Sequence, residues 1–283
     1  MHRYATSTAT RLYFHSEAQP FWQFAVPSMA ESSLILQRGI LALAAMDLAC
    51  EAACDPVEKN PVKMAMYRSR SLYHQQKALP QFRSLLERPD QSHADQQTIL
   101  IFSIFLLFLA FASAHSAEAK PTIDEILDLF ALFRGPKMLW AIAEGNSKRD
   151  LIDAIFPTPL AKQADVLESS NIPQEEPYPR LRALPLDDAA TIALDKLSES
   201  YKFSQLVPTD VRCMAWFPAL APDAFCMQVR QRQPSALAIL AQFVGILRPF
   251  RELWWVRTWD LILDEAINEE LRKGSISLPD QLG

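Results

Sequence analysis

The chain lacks the motifs by which the common enzyme classes are identified. Its 283 residues contain no GxSxG, GxGxxG, GxxxxGK[ST] or HExxH pattern, so serine hydrolases, dinucleotide-binding folds, P-loop enzymes and zinc peptidases have no support. The five histidines are scattered, and Asp187-Asp188 stands alone, without the further aspartates or basic clamp of a diphosphate site. Catalysis is therefore not predicted from motifs.

Cysteine is also scarce. Cys50 and Cys54 lie one helical turn apart, whereas Cys213 and Cys226 are thirteen positions apart with no histidine nearby. This is poor spacing for zinc ligands. We expect four small buried thiols in a reducing compartment, with no metal and no other cofactor.

Basic charge is in the minority. Lysine and arginine number 28 against 33 acidic residues, which gives a net charge of −5, whereas a chain that grips DNA phosphates normally presents a basic face. The basic residues between Lys63 and Arg88 are spread around a predicted helix with no adjacent pair. We expect them to form a solvated face, and we expect no direct DNA binding.

Glycine is rare and strand-like alternation is nearly absent. Only 6 glycines occur, hydrophobic residues make up 49% of the chain, and many of the 20 prolines fall between apolar segments. This composition predicts an all-α helical bundle with a central apolar helix and a hydrophobic pocket. We expect one domain over residues 1–283, with a possible subdivision at the proline-rich linker 169–180.

The helix boundaries follow from proline, capping residues and apolar periodicity. Ser28 is a candidate cap, Pro61 suits a first helical position, Pro80 predicts a kink, and Gly135-Pro136 predicts a bend or break. The predicted helices are Glu31–Ala53, Pro61–Leu86, His93–Ala114, Ile123–Ala143, Arg149–Ile155, Pro159–Glu168, Leu186–Phe203, Pro222–Arg232, Pro234–Leu247 and Arg251–Arg272.

One apolar run resembles a membrane span. Residues 99–112 read ILIFSIFLLFLAFA, which is shorter than the roughly 20 residues that a span needs and lacks interfacial Trp or Tyr. We expect a helix buried inside a bundle, and we expect no membrane span. Residues 1–14 have no apolar signal-peptide core, so a soluble chain in the cytoplasm or nucleus is predicted.

Several blocks recur in an order typical of one family. They are Met1–Ser7, Trp22-Gln23, Val26-Pro27, Gly39–Ala45, Tyr67, His74-Gln75, Ala78–Arg83, Phe133-Arg134-Gly135, Ala215–Pro218, Pro234–Ala241 and Trp254-Trp255. Together they resemble the regulatory domain of fungal zinc-cluster transcription factors of the sterol-uptake-control type, over nearly the whole chain. The zinc cluster itself is missing, and the sequence leaves open whether it was removed or is naturally absent.

The resemblance implies a ligand-controlled regulator. In that family a sterol-like molecule in a hydrophobic pocket controls transcription. Two features of this chain depart from the pattern: Val256–Asp260 replaces a glycine-rich turn, and Ser277–Gly283 replaces a tryptophan-proline ending. The expected ligands therefore include terpenoids, polyketides and lipids as well as sterols. Terpenoids and polyketides are typical products of secondary metabolism.

The candidate ligand-binding residues lie on two apolar helices and near the tryptophan pair, although an apolar and aromatic stripe is more often plain core than ligand lining. They are Leu36, Ile40, Leu43, Asp47, Phe102, Phe105, Leu106, Leu109, Phe243, Trp254 and Trp255. Asp47 interrupts an apolar helix. Buried without a cation, its carboxyl would have a raised pKa and bind a ligand or proton; otherwise it and Glu51 begin an exposed helix end, which is the interpretation we favour.

Two alternatives remain. A stand-alone enzyme, a metal-free cyclase or isomerase, would reuse the same pocket, with Asp47, Tyr67, Arg70 and His74 in polar roles. A protein-interaction module, for example a homodimer, would need no pocket at all. The expected partner remains an apolar small molecule.

Overall fold

The computed structural model describes residues 1–13, 18–54, 60–115, 120–142, 175–208 and 210–274. Every regular element in these ranges is helical, which confirms the all-α prediction. The α-helices are α1 Val26–Ala30, α2 Leu34–Cys54, α3 Pro61–Leu86, α4 His93–His115, α5 Ile123–Ile142, α6 Pro179–Arg182, α7 Asp188–Leu206, α8 Arg212–Leu220, α9 Asp223–Arg230, α10 Pro234–Leu247 and α11 Trp259–Gly274. Short helical turns cover Tyr4–Thr8, Ala9–Arg11, Phe21–Ala25 and Arg248–Phe250.

The chain groups into two compact units. The first unit is Met1–Glu118, Gly135–Pro157 and Leu253–Val256, and the second is Ala119–Arg134, Thr158–Glu252 and Arg257–Gly283. The predicted linker at 169–180 falls inside the range of the second unit. Its residues 169–174 lie outside the described part of the chain, as do the short helices predicted at Arg149–Ile155 and Pro159–Glu168.

Local capping sets where the helices of the first unit begin. Ser28 lies inside α1, and α2 begins only at Leu34, where the Ser33 hydroxyl accepts a hydrogen bond from the Leu36 amide at 3.4 Å. The predicted start at Glu31 was therefore three residues early. Asn60 caps α3 by accepting from the Lys63 amide at 2.9 Å, with Pro61 at the first position as expected.

Helices α2 and α4 form the interior of the first unit. Helix α2 packs against α1, α3, α4 and the first helical turn, and residues all around it are buried. Gly39 permits this closeness, because a Cβ atom built there would lie 2.5 Å from Cδ2 of Phe105 and 3.1 Å from Cδ2 of Phe102. Because glycine has no side chain, Gly39 allows α2 and α4 to pack this closely beside Phe102 and Phe105.

Helix α4 contains the apolar run noted in the sequence. It is the one described helix that is long and apolar enough to cross a membrane, and 67% of that stretch is buried inside the protein. The core helix of a bundle gives the same signal, so the run is weak evidence for a membrane span.

Helix α10 is the apolar interior of the second unit. It packs against α7, α8, α9 and α11. The ring of Phe243 lies 5.7 Å from that of Phe130 and 5.2 Å from that of Phe217, and Phe217 lies 6.0 Å from Phe225. Phe217 belongs to α8, a helix that the sequence did not predict because Pro218 interrupts its pattern.

Two of the long helices contain a proline. Helix α3 covers Pro61–Leu86 as predicted and continues through Pro80. Helix α5, for which a bend or a break was predicted at Gly135-Pro136, continues there without a break. Helix α11 begins at Trp259 rather than Arg251. Residues 251–258 instead form turns, in which Arg257 has a positive φ of 35°.

Candidate functional site

An aromatic cluster in the first unit joins the N-terminal residues to α4. It consists of Tyr4, Tyr13, Trp22, Phe105, Phe108 and Trp255. The sequence predicts the placement of its two phenylalanines, because positions 105 and 108 lie on one face of a helix. The other four rings come from segments far apart in the chain, so only the fold brings them together.

Ring geometry defines the cluster. Tyr13 stacks on Trp22 with ring centres 5.6 Å apart, and Trp22 lies 6.0 Å from both Phe105 and Phe108. Tyr4 contacts Phe105 edge to face at 6.3 Å. Such offset and edge contacts are the favoured arrangements of aromatic pairs.

Trp255 anchors the cluster from the other end of the sequence. Its ring lies 4.5 Å from Phe108, and its Nε1 donates to the carbonyl oxygen of Leu12 at 3.1 Å. The indole therefore fixes the N-terminal segment as well as packing against α4.

Several buried polar atoms in and next to this cluster have no hydrogen-bond partner among the described residues. They include the hydroxyl of Tyr4 and Nε1 of Trp22, whose side chains are both fully buried. Nε1 of the neighbouring Trp254 also lacks a partner within the described ranges. Burial, with the nearby Tyr13, raises the pKa of Tyr4 well above its ordinary value, so its hydroxyl keeps its proton and remains a donor.

Beside these rings lies a second group, the acid–arginine cluster of Asp47, Glu51, Arg3, Arg11 and Thr8. The Asp47 carboxylate accepts from the Thr8 hydroxyl at 2.7 Å and from Nη2 of Arg11 at 2.7 Å. Glu51 accepts from the same Arg11 nitrogen at 2.8 Å. Charge-assisted bonds of this kind tie the N-terminal turns to α2.

The acid–arginine cluster corrects our expectation for Asp47. We favoured an exposed helix end, but Asp47 is 0% exposed and lies in the interior of α2. Burial raises the pKa of its carboxyl, while the Arg11 guanidinium and the Thr8 hydroxyl counteract that rise. Buried carboxylates are retained where cations and hydroxyls satisfy their oxygens, as they do here.

The other candidate catalytic residues do not join Asp47. The guanidinium of Arg70 lies over the Tyr67 ring at 5.9 Å. Nδ1 of His74 lies 3.2 Å from Nη1 of Arg38, and partial burial together with Arg38 lowers the pKa of His74. Within the described residues, the hydrogen bonds of Asp47 go to the N-terminal turns and not to these α3 side chains.

The predicted ligand-binding residues fall into three groups. Those on α2 and α4 are buried in the first unit, apart from the partly exposed Leu106: Leu36, Ile40, Leu43, Asp47, Phe102, Phe105 and Leu109. Trp254 and Trp255 are also buried in the first unit. Phe243 belongs to the second unit, where it packs on Phe130 and Phe217.

Sequence reasoning missed the N-terminal contribution to this site. Tyr4, Trp22 and Arg11 were not among the candidates, although Tyr4 and Trp22 lie in the blocks that carried the family resemblance. The available signal was the density of polar-tipped aromatic side chains in residues 1–25, which typically combine a buried ring with a polar group.

All four cysteines were expected to be small buried side chains, and two of them are. Cys50 and Cys213 are buried, whereas Cys54 and Cys226 are partly exposed. Burial raises the pKa of the Cys213 thiol, so it stays protonated and unreactive. Across the described ranges, no group of three or more His, Cys, Asp or Glu side chains has a metal-binding arrangement.

Comparison with known proteins adds no assignment. No protein-family model matches the chain, no curated protein matches it, and no solved structure matches it. The geometry of the first unit is therefore the structural basis for a functional proposal.

Proposed function

We propose that the first unit binds a largely apolar small molecule at the aromatic cluster, and that the chain is a ligand-binding regulatory domain related to those of fungal zinc-cluster regulators. The observation that carries this proposal is the pair of buried donors without a partner among the described residues, Tyr4 Oη and Trp22 Nε1, which belong to two rings that both contact the Phe105 ring. Ligand sites are typically apolar and aromatic, with a few polar groups that orient the ligand.

The free-energy cost of buried donors without a partner favours the binding of a ligand that accepts hydrogen bonds from them. A buried polar group without a hydrogen bond costs about 1–3 kcal/mol, so two such groups cost the protein a sizeable part of the 5–15 kcal/mol by which a domain is typically stable. A ligand that accepts hydrogen bonds from both groups would recover that loss. Proteins commonly keep such groups at functional sites.

The family resemblance supports the same proposal independently. Tyr4, Trp22, Gly39, Trp254 and Trp255 all lie in blocks that resemble the zinc-cluster family, and all lie in the first unit. The regulatory role, a nuclear or cytoplasmic location and a sterol-like, terpenoid or polyketide ligand are parts of this proposal.

An isomerase or cyclase is less well supported. Such an enzyme needs polar groups that meet at one reacting centre. Here Asp47 on α2 pairs with Arg11 of the N-terminal turns, whereas His74 on α3 pairs with Arg38 on α2. We therefore propose binding rather than catalysis.

The test is ligand retention by the purified chain. Native mass spectrometry of the protein isolated from its own host, followed by solvent extraction, should release one apolar molecule per chain. Trp22→Phe should lower its occupancy, whereas Trp216→Phe, which removes a half-buried indole that donates to Glu199 at 2.9 Å in the second unit, should not. Empty wild-type protein that also shows no thermal shift with sterols, terpenoids and polyketides would contradict the proposal.

A further inference from the structure

The unpartnered buried atoms of the two units differ in kind. In the described part of the first unit they are Arg3 Nε, Tyr4 Oη, Trp22 Nε1 and Trp254 Nε1, and each of these can donate. In the described part of the second unit they are two acceptor oxygens, Gln228 Oε1 and Asp260 Oδ1. The first unit therefore has a surplus of donors.

This surplus of donors determines which polar groups a bound ligand can carry. Indole and guanidinium nitrogens donate only, and among these four groups the phenol of Tyr4 alone can also accept. A ligand hydroxyl that accepts from both Tyr4 and Trp22 has no acceptor for its own proton among these four groups, because the Tyr4 hydroxyl then acts as a donor to it. A carbonyl or ether oxygen brings two lone pairs and no donor, so it leaves nothing of its own unpaired.

A carboxylic acid does not fit for a different reason. Asp47 and Glu51 already share the guanidinium groups of Arg3 and Arg11. A further carboxylate would have to share these guanidinium groups with Asp47 and Glu51 or stay unpaired, and an unpaired buried anion is strongly disfavoured.

We propose that the molecule bound at the aromatic cluster has a hydrocarbon skeleton and a hydrogen-bond acceptor without a donor, that is, a ketone, ester or ether. This inference rests on the proposed function and specifies its ligand class. The acceptor oxygen lies against Tyr4 and Trp22, and the hydrocarbon skeleton packs on Phe105 and Phe108.

Three probes with one skeleton test the inference: 5α-cholestane, 5α-cholestan-3β-ol and 5α-cholestan-3-one, each delivered from the same concentration of methyl-β-cyclodextrin. Dissociation constants come from the quenching of tryptophan fluorescence in the full chain. The ketone should bind about 25-fold more tightly than the hydrocarbon, since it accepts two hydrogen bonds and each contributes a factor of about five. The alcohol should lie between them.

Variants then locate the preference. Tyr4→Phe should reduce the advantage of the ketone over the hydrocarbon to about fivefold, since one hydrogen bond remains, and Trp22→Phe should do the same if it folds. Trp216→Phe in the second unit is the matched control and should keep the full ratio of about 25-fold.

The outcomes separate the two proposals. If all three probes bind with equal affinity, or the alcohol binds best, the ligand class is wrong while the binding function stands. If the ketone is preferred but Tyr4→Phe and Trp22→Phe leave the ratio unchanged, the acceptor lies elsewhere and the inference is again overturned. If none of the probes binds and the protein carries no native ligand, the proposed function fails with it.

Discussion

Replacing Gly39 by alanine tests how closely α2 and α4 are packed beside Phe105. The added Cβ atom would lie 2.5 Å from Cδ2 and 3.0 Å from Cε2 of that ring, far inside van der Waals contact. Phe105 and Phe102 are both fully buried, so neither ring can turn into solvent. The overlap must be relieved by a shift of the Phe105 ring, of α2 or of α4.

The expected magnitude combines two opposing effects. Overpacking a core by a methyl group costs about 1–3 kcal/mol, while exchanging glycine for alanine inside a helix gains about 1 kcal/mol. We expect a net loss of up to about 2 kcal/mol in the free energy of unfolding, measured by urea denaturation. Calorimetry would resolve the two units if they unfold separately.

Gly245→Ala is the matched control. Gly245 is exposed inside α10, and a Cβ atom built there meets nothing within 4 Å. Only the helix-propensity gain remains, so this variant should be more stable by about 0.5–1 kcal/mol. The two glycines thus predict changes of opposite sign.

A double-mutant cycle identifies the clash. In a Phe105→Leu background the overlap partner is smaller, so Gly39→Ala should cost at least 1 kcal/mol less than in the wild type. If Gly39→Ala stabilises the wild-type chain as Gly245→Ala does, the interface beside Phe105 is loose and our account of the site's geometry is wrong.

Two further predictions concern the N-terminal turns. Tyr4→Phe removes a buried hydroxyl that has no partner among the described residues, so it should stabilise the ligand-free protein by about 1 kcal/mol. Thr8→Val removes the hydroxyl that donates to Asp47 at 2.7 Å and should cost about 1–2 kcal/mol. Urea denaturation measures both changes, and equal effects would contradict the different hydrogen-bonding states of the two hydroxyls. Burial raises the pKa of the Asp47 carboxyl above its ordinary value of 3.8, so the folded state keeps this proton to a higher pH than the unfolded state does. The free energy of unfolding should therefore fall as pH rises from 3.8 through the raised pKa. The slope is at most about 1.4 kcal/mol per pH unit. The unfolding free energy of the wild type minus that of Asp47→Asn should therefore decrease over this range, and a difference that grows with pH would contradict the reasoning.

The sequence predicted elements whose signals are local. Helix α10 was predicted at Pro234–Leu247, as observed, because proline marks its first position and the apolar run after it, interrupted only at Ser235, Gln242 and Gly245, ends before Arg248. Helix α5 was expected to bend or break at Gly135-Pro136, and it continues there without a break. Single breakers lower helix propensity by a few kcal/mol at most, and tertiary packing can outweigh that.

The site depended on long-range pairing and was predicted only in part. Phe105 and Trp255 were named from their apolar character and from the resemblance. The burial of Asp47 could not be predicted, because its partners Arg11 and Arg3 lie 36 and 44 residues away. Nothing within one helical turn of Asp47 indicates those arginines.

The bond from Trp255 to Leu12 has a consequence for synthesis on the ribosome. Its two residues are 243 positions apart, so at about 5–20 residues per second roughly 12–50 s pass between their translation. Helices form in about a microsecond, so α4 is complete long before the indole that covers Phe108 exists. During that interval the nascent chain carries an uncovered aromatic surface, which makes it a substrate for chaperones that bind exposed apolar segments.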